Sequence, residues 1–166
     1  MSVIQRDYLE RVIEQAAQAI SQVLELVRAG DLDPALILLH KTRDVVLGPM
    51  RPVLERVDAA SAVDLFGKFE LDRLRMHAAL LGEEGAIHQL RGNHARAGQC
   101  CLQALELYAA LSLAGARLKP ADHERIIMLQ QQVPAPNIDE RYRGELQRLA
   151  GQPAVSPDQG AGMVGT

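Results

Sequence analysis

The amino-acid sequence predicts an all-α protein built from antiparallel helix hairpins. Leu and Ala, which are good helix formers, dominate the 48% of the chain that is apolar. Apolar residues recur at helical spacing, and Gly and Pro stand where the periodic stretches end. No segment has the composition of a strand bounded by turn residues.

The length of 166 residues fits one domain. We predict a single α-helical domain over residues 1–150, which is large enough to fold without disulfides or a metal. Residues 151–166 consist mostly of Gly, Pro, Gln, Ser and Ala. This composition predicts a disordered C-terminal tail.

The first hairpin is predicted from residues 3–49. No Gly or Pro interrupts the apolar stripe of residues 3–29, so one long helix is expected there, with Gly30 at its C-terminus. The second helix should start within residues 31–34, with Asp33 as N-cap and Pro34 at the first helical position. A loop this short requires an antiparallel neighbour.

The middle of the chain is less regular. Pro49, Pro52 and Gly67 predict short helical pieces around residues 53–57 and 62–66, and we expect Ser61 to be an N-cap. A longer helix is predicted from residue 68, with Phe69 in its apolar set. The helical pattern continues on both sides of Gly82, which favours one helix as far as residue 90.

Three more helices are predicted towards the C-terminus. Gly92 and Asn93 interrupt the pattern before a strongly periodic helix that ends at Gly115. The next helix covers residues 122–133, and Pro134 and Pro136 follow it. A short last helix begins at residue 137 or 139 and ends near Leu149.

A spaced set of small residues is the most specific pattern in the chain. From Gly85 the set continues at offsets of 7, 12 and 19 with Gly92, Ala97 and Ala104. We expect Gly85 and Ala104 to lie where two helices cross closely, Gly92 to form the turn, and Ala97 to face the first helix. Such spacing is typical of tetratricopeptide repeats.

A weaker copy of this pattern lies 62 residues upstream. Gly30 and Ala35 correspond to Gly92 and Ala97, while Thr42 stands where Ala104 would repeat. The separation is too long for a tandem 34-residue array. It predicts two hairpins with irregular helices between them.

The whole arrangement resembles an uncharacterised family of short bacterial, tetratricopeptide-repeat-like helical proteins, a domain of unknown function. The resemblance covers about residues 5–130. It rests on a D-Y-x-x-R-x-I-E-Q signature at residues 7–15, on Gly30, Ala35 and Leu36, and on the A-L-E-L-Y segment at residues 104–108. It implies a right-handed array of helix hairpins and no particular activity.

Charge and hydropathy exclude several classes of partner. The net charge of −3 argues against nucleic-acid binding, which needs a basic face. No stretch of about 18 apolar residues predicts a membrane span. The two cysteines, Cys100 and Cys101, are adjacent, and a disulfide between them is improbable. We therefore expect a cytoplasmic protein.

The first helix carries the residues that we consider for partner binding. Its polar and apolar side chains could form an interface with a protein or peptide, or with a second copy in a homodimer. The alternative is a solvated helix face with Tyr8 buried. The candidate residues are Tyr8, Arg11, Gln15, Ile20, Leu24 and Val27.

The remaining polar residues predict no cofactor, metal or catalytic site. Among Glu84, His88 and His94, only the first two have i,i+4 spacing, and zinc motifs require closer pairs. Cys101 should lie in the core, and no flanking motif activates either cysteine. Phosphate-binding glycine loops are absent from the sequence.

The sequence therefore predicts a non-enzymatic protein–protein interaction or scaffold module. The alternative is a regulatory domain that binds a small molecule or a peptide in a pocket between helix hairpins. The expected concave face of the hairpins is apolar to acidic, with Ala17, Ile20 and Leu24 on one hairpin and Glu83 on the other. Capture of a peptide carboxylate on that face is not expected.

Overall fold

The computed structural model describes residues 2–151, and within this range every regular element is helical. The tail predicted to be disordered, residues 151–166, lies outside the described residues except for Gly151. The α-helices are α1 (Val3–Arg28), α2 (Leu32–Leu47), α3 (Arg51–Leu54), α4 (Ala59–Phe66), α5 (Leu71–Leu90), α6 (His94–Leu113), α7 (Pro120–Gln132) and α8 (Glu140–Gly151). Short 3₁₀ turns cover Gly48–Met50 and Ala135–Asn137.

Helix α1 is the single long helix that its apolar stripe predicts. A capping box starts it: the Ser2 hydroxyl accepts from the Gln5 amide, and the Gln5 side chain accepts from the Ser2 amide, both at 3.2 Å. Val12, Ile20 and Val23 are buried against the rest of the core. The opposite face is polar and exposed.

The turns after α1 and α5 have the same backbone conformation. Gly30 and Gly92 have φ of +80° and +78°, where L side chains are strained. The next residues, Asp31 and Asn93, have φ, ψ of −85°, 69° and −86°, 72°. In each turn the amide after the glycine donates to a carbonyl five residues back, Leu26 or His88, at 2.9 Å.

Two predicted N-caps differ from those observed. Helix α2 begins at Leu32 with Asp31 as N-cap, so Asp33 and Pro34 are its second and third residues and not the cap and the first residue. The Asp33 carboxylate pairs with Arg91. Helix α4 begins after Asp58, whose carboxylate accepts from the Ser61 amide at 2.8 Å. In both cases an aspartate upstream of the predicted cap can take the N-cap position, which Asp favours as strongly as Ser.

Helices α5 and α6 approach closely at Gly85. A Cβ added there would lie 3.2 Å from the Ala97 carbonyl oxygen and 2.7 Å from the Cys101 Sγ. Ala97 and Ala104 are buried on α6, as the small-residue pattern predicts, and Ala35 is buried on α2. Small side chains therefore set the distance between the two longest central helices.

The core is formed by α1, α2, α5 and α6, with α4, α7 and α8 packed around α6. Its fully buried side chains include Leu39, Leu80, Leu105 and Tyr108. Phe69, predicted in the apolar set of a helix, instead lies in the turn before α5 and is 69% exposed. The glycine at position 67 ends α4 and delays the start of α5 until Leu71.

Candidate functional site

A buried carboxylate connects three helices at the centre of the molecule. Glu84, on α5, is 1% exposed. It accepts hydrogen bonds from Arg43 on α2 and, at 3.4 Å, from Arg96 on α6. His88, one turn further along α5, lies 3.4 Å away through its Nε2. We call these residues the Glu84 cluster.

The ionisation of the cluster follows from its burial and its arginines. Burial raises the pKa of Glu84, but the Arg43 guanidinium and the neighbouring positive charges hold it below its ordinary 4.5. His77 lies on the same face of α5, two turns before Glu84. Burial and the Arg43 charge lower the pKa of His77 to about 3, so its ring is neutral at physiological pH.

A cavity of about 480 Å³ lies beside the Glu84 cluster, within the size range of small-molecule sites. We call it the central cavity. It is bounded by α2, by the α3–α4 segment and by the facing sides of α5 and α6. Its lining residues are Arg43, Leu54, Glu55, Val57, Asp58, Ala59, Ala62, His77, Leu81, Arg96, Leu102, Gln103, Glu106 and Leu107.

Some polar groups around the central cavity already have partners and some do not. Glu55 accepts from Arg51 at 3.1 Å, and Asp58 caps α4. The Nε of Arg43 and the Nδ1 of His77 are buried without a hydrogen-bond partner in the described part of the chain. Buried polar atoms without partners are uncommon in folded proteins, and a bound ligand or water is one physical explanation for them.

A second, wider groove lies between the start of α1 and the turn before α5. Its volume is about 640 Å³, and its surface is mainly apolar. Ile4, Tyr8 and Phe69 stand around it with exposed fractions of 81%, 64% and 69%. We call these three residues the N-terminal patch.

The structure divides the six residues predicted for partner binding. Tyr8, Arg11 and Gln15 are exposed on α1. Leu24 and Val27 are partly buried and pack against the core. Ile20 is 5% exposed and belongs to the core. The three of these six residues that a partner can reach therefore lie in the first half of α1.

The histidines and cysteines considered in the sequence are not gathered in one place. His88 contacts Glu84, whereas the His94 Nδ1 lies 3.0 Å from the Gln89 side chain at the surface. Cys100 and Cys101 are buried free thiols, and burial together with the nearby Glu84 charge raises the pKa of Cys100 to about 11. Among residues 2–151, no three His, Cys, Asp or Glu side chains are placed to hold a metal ion.

Another buried carboxylate, Asp122, stabilises the other side of α6. It caps α7 by accepting from the Lys119 amide at 2.8 Å. It also accepts from Arg75 on α5 at 3.3 Å and from the Tyr108 hydroxyl on α6 at 3.4 Å. These hydrogen bonds connect α5, α6 and the start of α7.

Sequence reasoning missed Arg43 and His77. A signal for Arg43 existed, because it falls four residues after Leu39 and four before Leu47, in the middle of the apolar stripe of α2. A charged residue in such a stripe indicates a buried ion pair. The pairing partner, Glu84, lies 41 residues away, and no local pattern connects the two.

None of the helices in the described range is both long enough and apolar enough to cross a membrane. Comparison of the chain with protein-family models, with curated proteins and with solved structures finds no match.

Proposed function

We propose that this protein is a non-enzymatic binding module, and that its partner is a protein helix that docks on the N-terminal patch. The observation that carries the proposal is the exposure of two aromatic side chains, Tyr8 and Phe69, from a chain with only three Tyr and two Phe. Exposed aromatic side chains that flank a groove are typical of interface hot spots.

The chemistry around the patch suits an amphipathic helix. Ile4 and the aromatic rings offer apolar contact, while Lys68, Glu70 and Arg73 line the same groove with charges of both signs. A helix with an apolar stripe and a mixed polar border complements such a groove. Arg11 and Gln15 extend the exposed face of α1 beyond Tyr8, within reach of the same partner.

A second copy of the chain is the partner that we propose first, because α1 is itself amphipathic and exposed at its start. We further propose that the scaffold behind the patch is a tetratricopeptide-like array of helix hairpins, related to the family that the sequence resembles. The matching turns at Gly30 and Gly92 support this proposal.

Self-association is tested by size-exclusion chromatography with light scattering over a range of concentrations. We expect a dimer at high micromolar concentration and a monomer for the Tyr8→Ala, Phe69→Ala double variant. The matched control is Met128→Ala, which removes an equally exposed side chain on α7, outside the patch. A strict monomer at every concentration would defeat the homodimer.

The central cavity supports a second candidate function, a regulatory domain that binds a small molecule between helices. It combines a suitable volume with buried polar atoms that have no partner. A thermal-shift screen with small organic compounds tests this function, since a ligand that binds only the folded state raises the melting temperature. If no class of compound raises the melting temperature, the proposed ligand-binding function of the cavity is contradicted.

A further inference from the structure

We propose that the central cavity binds a small organic monocarboxylate with an apolar body, held by Arg43 and Arg96. This inference rests on the second proposed function and names the ligand class for it. It concerns residues other than those of the concave hairpin face, on which the sequence argues against carboxylate capture. Three features of the cavity support this ligand: the two arginines, their hydrogen-bond donors and the apolar side chains of the other walls.

Two arginines at the cavity share one acidic partner. Within the described residues, the side chains of Arg43 and Arg96 each have a single acidic partner, and that partner is the same carboxylate, Glu84. Two guanidinium groups thus share one carboxylate, while Asp58 and Glu106 also line the cavity and Glu55 pairs with Arg51. Arg96 is 43% exposed and contacts Glu84 through one Nη at 3.4 Å, so its other N–H groups are available to the carboxylate of a ligand.

The hydrogen-bond donors are the second feature. Among residues 2–151, the Nε of Arg43 has no hydrogen-bond partner, and the Arg43 side chain is itself more than nine-tenths buried. His77 lines the same wall, and its Nδ1 is buried without a hydrogen-bond partner among the described residues. Arginine binds carboxylates through two parallel N–H groups. A guanidinium with an unused donor therefore favours a carboxylate ligand over a neutral ligand.

The remaining walls define the rest of the ligand. Leu54, Leu81 and Leu107 supply apolar contacts along the cavity. Glu106 also lines it, ten residues after Arg96 on α6 and therefore about 15 Å further along the helix axis. A second carboxylate on the ligand would face Glu106 and be repelled, which favours a monocarboxylate over a dicarboxylate.

The experiment compares four probes by isothermal titration calorimetry on the full chain: octanoate, 1-octanol, octylamine and inorganic phosphate. We expect octanoate to bind and the other three to bind at least about tenfold more weakly, as loss of a charge-assisted hydrogen bond predicts. Amide chemical shifts measured during an octanoate titration locate the site. The largest changes should fall in residues 54–62 and 96–107.

Two variants and two controls test the residues. Arg96→Gln, at a partly exposed side chain, should weaken octanoate binding by about tenfold without unfolding the protein. Ala62→Leu should weaken it by filling the cavity. Arg91→Gln removes the same charge outside the cavity, and Ala17→Leu adds the same bulk on the exposed face of α1. Neither control should change the affinity.

Several results would contradict the proposed carboxylate site. Equal binding of octanoate and 1-octanol overturns the carboxylate assignment and leaves the cavity as a neutral ligand site. Equal binding of phosphate overturns the apolar body. Octanoate binding that Arg96→Gln leaves unchanged, or shift changes outside the cavity, would place the ligand elsewhere and refute the proposal. If no probe binds at millimolar concentration, the inference fails, and the second proposed function then depends on the thermal-shift screen alone.

Discussion

Gly85 lies so close to Cys101 that a methyl group added to the glycine would come within 2.7 Å of the cysteine Sγ. The Ala97 carbonyl oxygen, which is backbone and cannot rotate away, would lie at 3.2 Å. A side chain at residue 85 would therefore require Cys101 to move and the backbone at Ala97 to shift by a few tenths of an ångström. The small-residue pattern in the sequence thus has a direct physical cause at this position.

Gly85→Ala should destabilise the protein by about 1–3 kcal/mol, because overpacking forces the two helices apart. Urea unfolding followed by circular dichroism measures the change. Gly98→Ala is the matched control, since it lies on α6 with no heavy atom within 4 Å of the added Cβ. That control should be neutral or stabilising by up to about 1 kcal/mol, because alanine favours helix more than glycine. Equal effects of both substitutions would contradict the close approach.

Glu84→Gln should cost about 3 kcal/mol or more of unfolding free energy, since it leaves two guanidinium groups without their carboxylate. The adjacent Glu83→Gln is the control. Glu83 lies 4.0 Å from Arg125, and burial raises its pKa, so loss of its charge should cost much less. Chemical denaturation at neutral pH compares the two variants, and a larger effect at Glu83 would count against the cluster.

Stability should fall as the pH is lowered from about 7 to 5, because of His77. In the unfolded chain this imidazole gains its proton near pH 6.5, whereas in the folded protein the pKa of His77 is about 3. The unfolded state therefore binds more protons in this interval, so the free energy of unfolding rises with pH. His77→Gln should reduce the slope. A variant with the parent's slope would contradict the assignment.

Asp122→Ala should destabilise the protein by about 3 kcal/mol, because the buried Arg75 and Tyr108 lose their common partner and α7 loses its cap. Asp72→Ala removes the exposed partner of the same arginine. Its cost should be below about 1 kcal/mol, as for other surface ion pairs. Thermal unfolding of the two variants gives the comparison, and similar melting temperatures would argue against the buried network.

The sequence predicts the long helices well, because their apolar periodicity and their glycine ends are local signals. The single helix across Gly82 and the turn at Gly92 are confirmed. N-caps were displaced where two capping residues compete within a few positions, as with Asp58 and Ser61. Phe69 shows a different limit. The helical spacing of apolar residues begins before the helix itself, because Phe69 still lies in the turn that precedes α5.

The candidate site was much less predictable than the fold. Its central contacts join Glu84 to residues 41 positions before it and 12 positions after it, and sequence periodicity carries no information about such pairings. The exposure of Tyr8 depends on where α4 and α5 leave a groove, which is a property of packing. Only the position of Arg43 within an apolar stripe offered a local clue.

Glu84 on α5 accepts hydrogen bonds from Arg43 on α2 and from Arg96 on α6, so one carboxylate fixes three helices relative to one another. If α2 or α6 slid past α5 by one turn, about 5.4 Å, its guanidinium would lose the shared oxygen atoms and enter an apolar layer. Sliding of α2 or α6 along α5 is therefore opposed at the level of Glu84.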